Sequence, residues 1–348
     1  MTLPSDPVWA WSPPQGTGHS LLSLRHAAVR AADAPLVTAR APARARGAAA
    51  ADSPPVTSPA EAMSTAIKES WRTSTTGSDR TMHSDTIRPH SARMYDYLLG
   101  GKSNYAADRR AAVAVRRVLP HAPAAARHNR SFMRRAVRCL AREHGIRQFL
   151  DIGIGIPTPP NLHQVAQREH PEARIVYCDN DPIVLAHARA LMNSTDEGVI
   201  DYVQADVRDP QAILGHAART LDFTRPVAVS LVALLHFIPD GDDPHGIVQA
   251  LLRPLPAGSA LILSHGAADL DPRAEAAARI YTASGLTCTL RARPAVAQLL
   301  AGLELLDPGL VPTAAWRPDA APDDTPPGAL SPEQTCVWAG VGIRPEDA

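Results

Sequence analysis

The chain has 348 residues with 35 basic and 35 acidic side chains, so its formal net charge is zero; this length fits one large or two ordinary domains, and the balance excludes a uniformly basic nucleic-acid coat. The charge is divided, however: residues 1–81 carry 8 basic and 6 acidic side chains, residues 82–150 carry 14 and 4, and residues 151–348 carry 13 and 25. Proline, at 33 residues, is about twice the ~5% of an average protein, while aromatics are 4%, so a core must be built mainly from Ala, Val, Leu and Ile.

Residues 1–84 read as a disordered Ala-, Pro- and Ser-rich tail, with too little apolar surface to offset the entropy of ordering. It has no basic residue before Arg25, which argues against a secretory signal, and Met63 and Met82 offer alternative start sites. A basic helical lid segment is expected over 85–147. Within it, 90–101 (HSARMYDYLLGG) is a short helix stopped by Gly100-Gly101, whose pair would allow a hinge; helices follow over 107–119 and 129–144, the latter capped by Asn129. From Gln148 the pattern changes to short apolar runs alternating with helices. Strands are predicted at 148–152, 174–178, 199–205, 226–234 and 259–264, with helices between them at 160–169, 182–192, 209–219 and 243–253. Helices near 272–283 and 293–301 and two closing strands near 303–306 and 335–342 complete the chain. This pattern is that of an α/β domain over 148–343, a mostly parallel sheet with helices on both faces. The longest nearly apolar run, Val227 to Leu235, is far short of the ~20 residues of a membrane helix. Cys139, Cys178, Cys288 and Cys336 form no CxxC pair, and no histidine spacing suggests metal ligation, so no metal site and a reducing, cytoplasmic setting are expected.

The chemistry concentrates at the predicted strand tips. The first strand runs into Asp151-Ile-Gly153-Ile-Gly155-Ile-Pro157-Thr158; the glycines allow a sharp turn and a close approach to a ligand, but Thr158 stands where a dinucleotide loop has its third glycine. The Asp151 carboxylate suits a cationic amino-acid group. The second strand ends at Asp179-Asn180-Asp181, where Asp179 is placed to accept ribose hydroxyls and Asp181, followed by Pro182, to cap the next helix. The third gives Asp206-Val207, a carboxylate for the exocyclic amine of adenine and a side chain to pack on its ring. Three carboxylates on three successive strand tips after a GxG look like the S-adenosylmethionine site of class I methyltransferases.

Longer strings extend that likeness. RMYDYLLGGKSNYAADR (93–109), HNRSFMRRAVR (128–138), QFLDIGIGIPTPPNLHQVAQ (148–167), YCDNDPIVLAHARAL (177–191) and LLHFIPD (234–240) resemble an actinobacterial family of S-adenosylmethionine-dependent methyltransferases long catalogued as a domain of unknown function. The resemblance covers roughly residues 85–343. It implies a Rossmann-like class I fold with a seven-stranded sheet and an N-terminal helical lid, S-adenosyl-L-methionine as cofactor, and no defined acceptor. Ile154 and Cys178 depart from it, standing where a small or polar residue and a valine are expected.

Methyl transfer from a sulfonium depends mainly on positioning and desolvation of the acceptor, which is expected to be a small molecule, with a base optional. His236, after strand four, and Tyr95 are the candidate catalytic residues, with His265 next. Arg93, Tyr97, Lys102, Asn104, Tyr105 and Arg109 are the candidate lid contacts to substrate. The basic stretch 109–142 supports a second reading, in which the protein binds nucleic acid or another anionic ligand, or is a non-catalytic cofactor-binding regulator.

Overall fold

The computed structural model describes residues 86–318 and 330–346; the expected tail over 1–84 lies outside them. Three helices lead: α1 (Ser91–Leu99), α2 (Ala106–Val118) and α3 (Ala122–His144). Then β1 (Gln148–Ile152), β2 (Arg174–Asp179), β3 (Val199–Gln204), β4 (Ala228–Val232) and β5 (Ala260–Gly266) alternate with α4 (Leu162–Glu169), α5 (Pro182–Leu191), α6 (Pro210–Ala217) and α7 (Pro244–Leu252). After β5 come α8 (Arg273–Ala283), α9 (Arg293–Gln298), β6 (Glu304–Leu305), β7 (Val311–Pro312) and β8 (Val337–Ile343).

The strand order is β3-β2-β1-β4-β5-β8-β6, parallel from β3 to β5, with β8 antiparallel to β5. β6 and β7 both pair antiparallel with β8, at Glu304↔Ile343 and Val311↔Ala339. They fill the seventh position as one interrupted strand, broken at Asp307-Pro308-Gly309, where Gly309 turns at φ 81°. Alternation within each strand supplies both faces. Leu150 and Ile152 join Val176, Leu231, Leu263, Ile213 and Leu251 in one core, while Phe149 joins Ile175, Ile262, Phe132, Leu140 and Val165 in the other.

Three helices start by the same device: Asp181, Asp209 and Asp243 each accept a backbone N–H at the start of α5, α6 and α7, and each is followed by a proline in the first turn. Part of the proline surplus is thus spent on helix starts. α3 begins seven residues earlier than 129, because Pro123 is accommodated in its first turn and the alanines after it are strong helix formers. Asn129 is therefore mid-helix rather than a cap. The apolar stripe of α3 belongs to the sheet's own core, so α3 is a layer helix; α1, α2, the start of α3 and α8 share a third core and form a roof over the carboxyl ends of the strands.

Several arginines of the basic segment are taken up inside this frame. Arg93, almost fully buried, bridges Asp108 of α2 (3.0 Å) and Asp181 of α5 (3.1 Å). Arg130 donates to the carbonyls of Thr158 (2.7 Å) and Pro160, Arg135 to those of Thr313 (2.7 Å) and Trp316 (2.8 Å), and Arg142 and Arg147 pair with Glu169 and Glu172. Arg109, Arg110, Arg116 and Arg117 remain on the exposed side of α2. No described helix is long and apolar enough to cross a membrane.

Candidate active site

Sheet order reverses between β1 and β4, and a cavity of about 480 Å³ opens there at the strand tips, under the roof. Gly153 and Gly155 both sit at positive φ (75° and 63°) in the loop leaving β1. A Cβ on Gly153 would lie 2.7 Å from the Leu234 side chain, so only glycine lets this loop pass the one after β4. The Gly155 amide donates to Oδ2 of Asp179 (3.0 Å), and the Asp181 amide donates to Oδ1 (3.0 Å). Asp179 is thereby fixed, and its burial raises its carboxyl above the ordinary range.

Asp151 lies beside Tyr177 and Ser230 in the sheet register. Burial pushes its carboxyl up to about 6, against the opposing pull of the neighbouring Ser230 hydroxyl and the Arg130 charge. Asp206 is the opposite case. Arg208 grips both its oxygens (2.9 and 2.7 Å) and holds it at about 2. Arg208 also reaches Asp242 (3.3 Å). Asp151, Gly153, Gly155, Asp179, Asn180, Asp206 and Val207 all line the one cavity, so the three strand tips converge as their spacing predicts. Asp181 caps α5 at the Ile183 amide (2.8 Å).

Two further lining residues carry a signal in the sequence. Arg208 follows Asp206 by two residues, close enough to compete for it. Arg130, within the basic stretch 109–142, lines the cavity near Asp151.

The lid residues require a correction. Arg93, Tyr97, Lys102, Asn104, Tyr105 and Arg109 do not line the cavity; His90, Ser91, Ala92, Tyr95 and Leu98 do. α1 covers the site, but with the face that carries Ser91, Ala92, Tyr95 and Leu98, spaced i, i+1, i+4 and i+7 along one side of the helix. Arg93 serves the ion pairs above. Asn104 donates to Asp96 (2.7 Å) and accepts from Arg109 (3.1 Å), and Lys102 and Tyr105 are exposed. The Gly100-Gly101 turn is tied down by amides donating to Tyr97 and Asp96 carbonyls, a helix stop rather than a hinge.

The candidate proton-transfer groups are also constrained. The Tyr95 hydroxyl donates to the Ala126 carbonyl (3.0 Å) and accepts from Asn129 (3.0 Å), whose own oxygen accepts from Ser264 (2.6 Å). Burial raises Tyr95 further, so it joins α1 to α3 instead of offering a base. His265 is fully buried, with Nδ1 on the Gly266 carbonyl (2.8 Å) and Nε2 on Arg291 (2.8 Å), leaving no nitrogen for substrate. His236 lines the cavity, and its Nδ1 accepts from the Gly266 amide (3.3 Å). Its loop is held by buried Arg291, which donates to the carbonyls of Leu235 and Ile238 (3.0 Å each) and pairs with Asp240 (2.6 Å). Although no cysteine pair marks a metal site in the sequence, the fold brings His121, Asp271 and Cys336 within 4.8 Å of one another at the edge of the roof. Asp271 there is already gripped by Arg273 (2.7 Å).

Residues 78–345 match the sequence model of a family described as S-adenosyl methyltransferase. A solved structure of a DUF574 family protein from Streptomyces avermitilis MA-4680 is 47% identical, covers 75% of this chain and 99% of its own, and superposes with a TM-score of 0.71. A protein from Thermobifida fusca YX, described as a candidate methyltransferase, is 39% identical over 75% of this chain and 97% of its own, with a TM-score of 0.68. No protein of curated function matches the chain. The chain belongs to the S-adenosyl methyltransferase family and is a class I enzyme dependent on S-adenosyl-L-methionine.

Proposed function

We propose that the strand-tip end of the cavity holds S-adenosyl-L-methionine and that the end beneath the roof receives a small-molecule methyl acceptor. The observation that carries the reading is the convergence of Asp151, Asp179 and Asp206, from three adjacent parallel strands, on one cavity beside the Gly153–Gly155 turn. The residues fit the cofactor. Each Asp179 oxygen spends one lone pair on a backbone amide and keeps another for a ribose hydroxyl. Asp151 has no cation closer than Arg130 to stabilise it, and an ammonium group beside it would favour its ionised form. Asp206 stays ionised in the Arg208 fork with lone pairs to spare for an adenine amine, and buried Val207 offers an apolar face to the ring. Asn180 stands at the exposed rim.

Bound there, S-adenosyl-L-methionine supplies an electrophilic methyl group on a sulfonium. The protein's part is to orient the two reactants and exclude water, which suits an in-line displacement. The anionic-ligand reading loses part of its support, because Arg130, Arg135, Arg138 and Arg142 are engaged by carbonyls and carboxylates of the fold.

Calorimetric titration with S-adenosyl-L-homocysteine tests the assignment. Asp179→Ala is expected to weaken binding at least ~100-fold, as loss of paired charge-assisted hydrogen bonds does, while far-ultraviolet circular dichroism stays unchanged. Equal affinity in a folded variant overturns it.

A further inference from the structure

The two ends of the cavity differ in chemistry, and the roof end specifies what it admits. Of the lining Arg and Asp residues, Asp151, Asp179, Asp206, Arg208 and Asp242 lie at the strand tips or in the loops that leave them, while Arg130 of α3 lies between Asp151 and Tyr95. Beneath the roof the walls are mainly alkyl and aromatic, at Leu98, Leu119, Met133, Phe237, Tyr281 and Leu286, with uncharged polar groups at Ser91, Asn129, Thr287 and Thr335. Cys288, also lining, is kept a neutral thiol, since burial pushes it up to about 11. A phosphate, carboxylate or ammonium brought here would be desolvated without a counter-charge, which costs several kcal/mol.

One polar group stands out against this wall. The His236 ring lies against Phe237, with centroids 4.3 Å apart. Its Nδ1 accepts from the Gly266 amide, so the neutral ring carries its proton on Nε2, which has no hydrogen-bond partner among the described residues. Burial, with the nearby His265 and Arg291 adding to it, lowers its pKa to about 3, so the ring is neutral at any working pH. Taking a proton at Nε2 would need the other tautomer and forfeit the Gly266 bond. His236 is therefore a hydrogen-bond donor and not a base.

Resting on the assignment of the strand-tip end to the cofactor, we infer that the acceptor is an uncharged, largely apolar or aromatic small molecule that presents one hydrogen-bond-accepting atom to Nε2–H of His236. Flat walls at Phe237 and Tyr281 favour a ring, and the Nε2–H donor orients it. A nucleic acid or phosphorylated metabolite finds no cation on the wall formed by Leu98, Leu119, Phe237, Tyr281 and Leu286.

The test uses the full chain saturated with S-adenosyl-L-homocysteine, titrated calorimetrically at neutral pH with 1-naphthol, 1-naphthyl phosphate and 1-naphthylmethylamine. Naphthol is expected to bind at least ~10-fold more tightly than either charged probe. His236→Gln, which can accept from Gly266 and still donate, is expected to keep that affinity, and His236→Ala to lose it ~3- to 10-fold. Charged probes binding as tightly as naphthol, no probe binding to the loaded protein, or His236→Gln failing like His236→Ala would each overturn the inference. The S-adenosyl-L-homocysteine heat is read first in the same cell. Its absence overturns the cofactor assignment itself, whereas its presence with a failed probe series overturns only the acceptor class.

Discussion

At the strand tips of the cavity two of the three carboxylates are already held by donors: Asp179 by two amides and Asp206 by an arginine fork. Under the roof, sequence-distant alkyl and aromatic side chains form the wall, and the Nε2–H of His236 stands in it without a partner among the described residues. The difference shows two ways of making a binding surface. The strand-tip end is preorganised by backbone geometry, because parallel strands must end together and their tips must converge. The roof end is selective by omission, since a wall without charge rejects charged ligands through desolvation alone.

Arg93 joins the two ends, bridging Asp108 of the roof to Asp181 beside the strand tips. Breaking it should produce the largest change. Arg93→Ala leaves two buried carboxylates uncompensated and is expected to cost about 3–5 kcal/mol in urea unfolding; a loss below ~1 kcal/mol would mean that the ends are held together by something else.

Asp151 sharpens the comparison from the strand-tip side alone. Its folded pKa of about 6 exceeds the ~3.9 of an unfolded aspartate. Between these values the folded protein holds a proton that the unfolded chain has lost, so ligand-free stability should fall as pH rises from about 4 to about 6. Asp151→Asn is expected to flatten that slope and gain up to about 3 kcal/mol above pH 7, while weakening S-adenosyl-L-methionine binding ~10-fold. Chemical unfolding across pH, together with calorimetry, reads both effects.

The smallest effect belongs to residues outside both ends. Replacing exposed Arg116 and Arg117 together by Glu should change stability by no more than ~0.5 kcal/mol and leave cofactor affinity unchanged. A loss of cofactor binding would show that the basic face reaches the site.

Much of this was legible in the residues. β1 falls at 148–152 as alternation predicts, and the other parallel strands shift by no more than two residues at either end. The converging carboxylates follow from those strand ends. What was not legible has particular causes. The two-residue β7 is too short for a period-2 signal and exists only because β8 offers it an edge. Polar and aromatic residues drew attention on α1, but a roof over an apolar chamber turns its small residues inward, and only helical phase separates Ala92 and Tyr95 from Arg93 and Tyr97. The partners of Arg93 and Arg135 lie up to 181 residues away, so pairing could not be read from local charge. Likewise, nothing in the sequence shows which nitrogen of His236 the Gly266 amide occupies.

The central claim is that the strand-tip carboxylates form the cofactor site. A crystal structure of the complex with S-adenosyl-L-homocysteine tests it most directly. The account predicts ribose hydroxyls on Asp179, the amino-acid end beside Asp151 and the adenine against Val207; a ligand seated elsewhere, or held without Asp179, would contradict it.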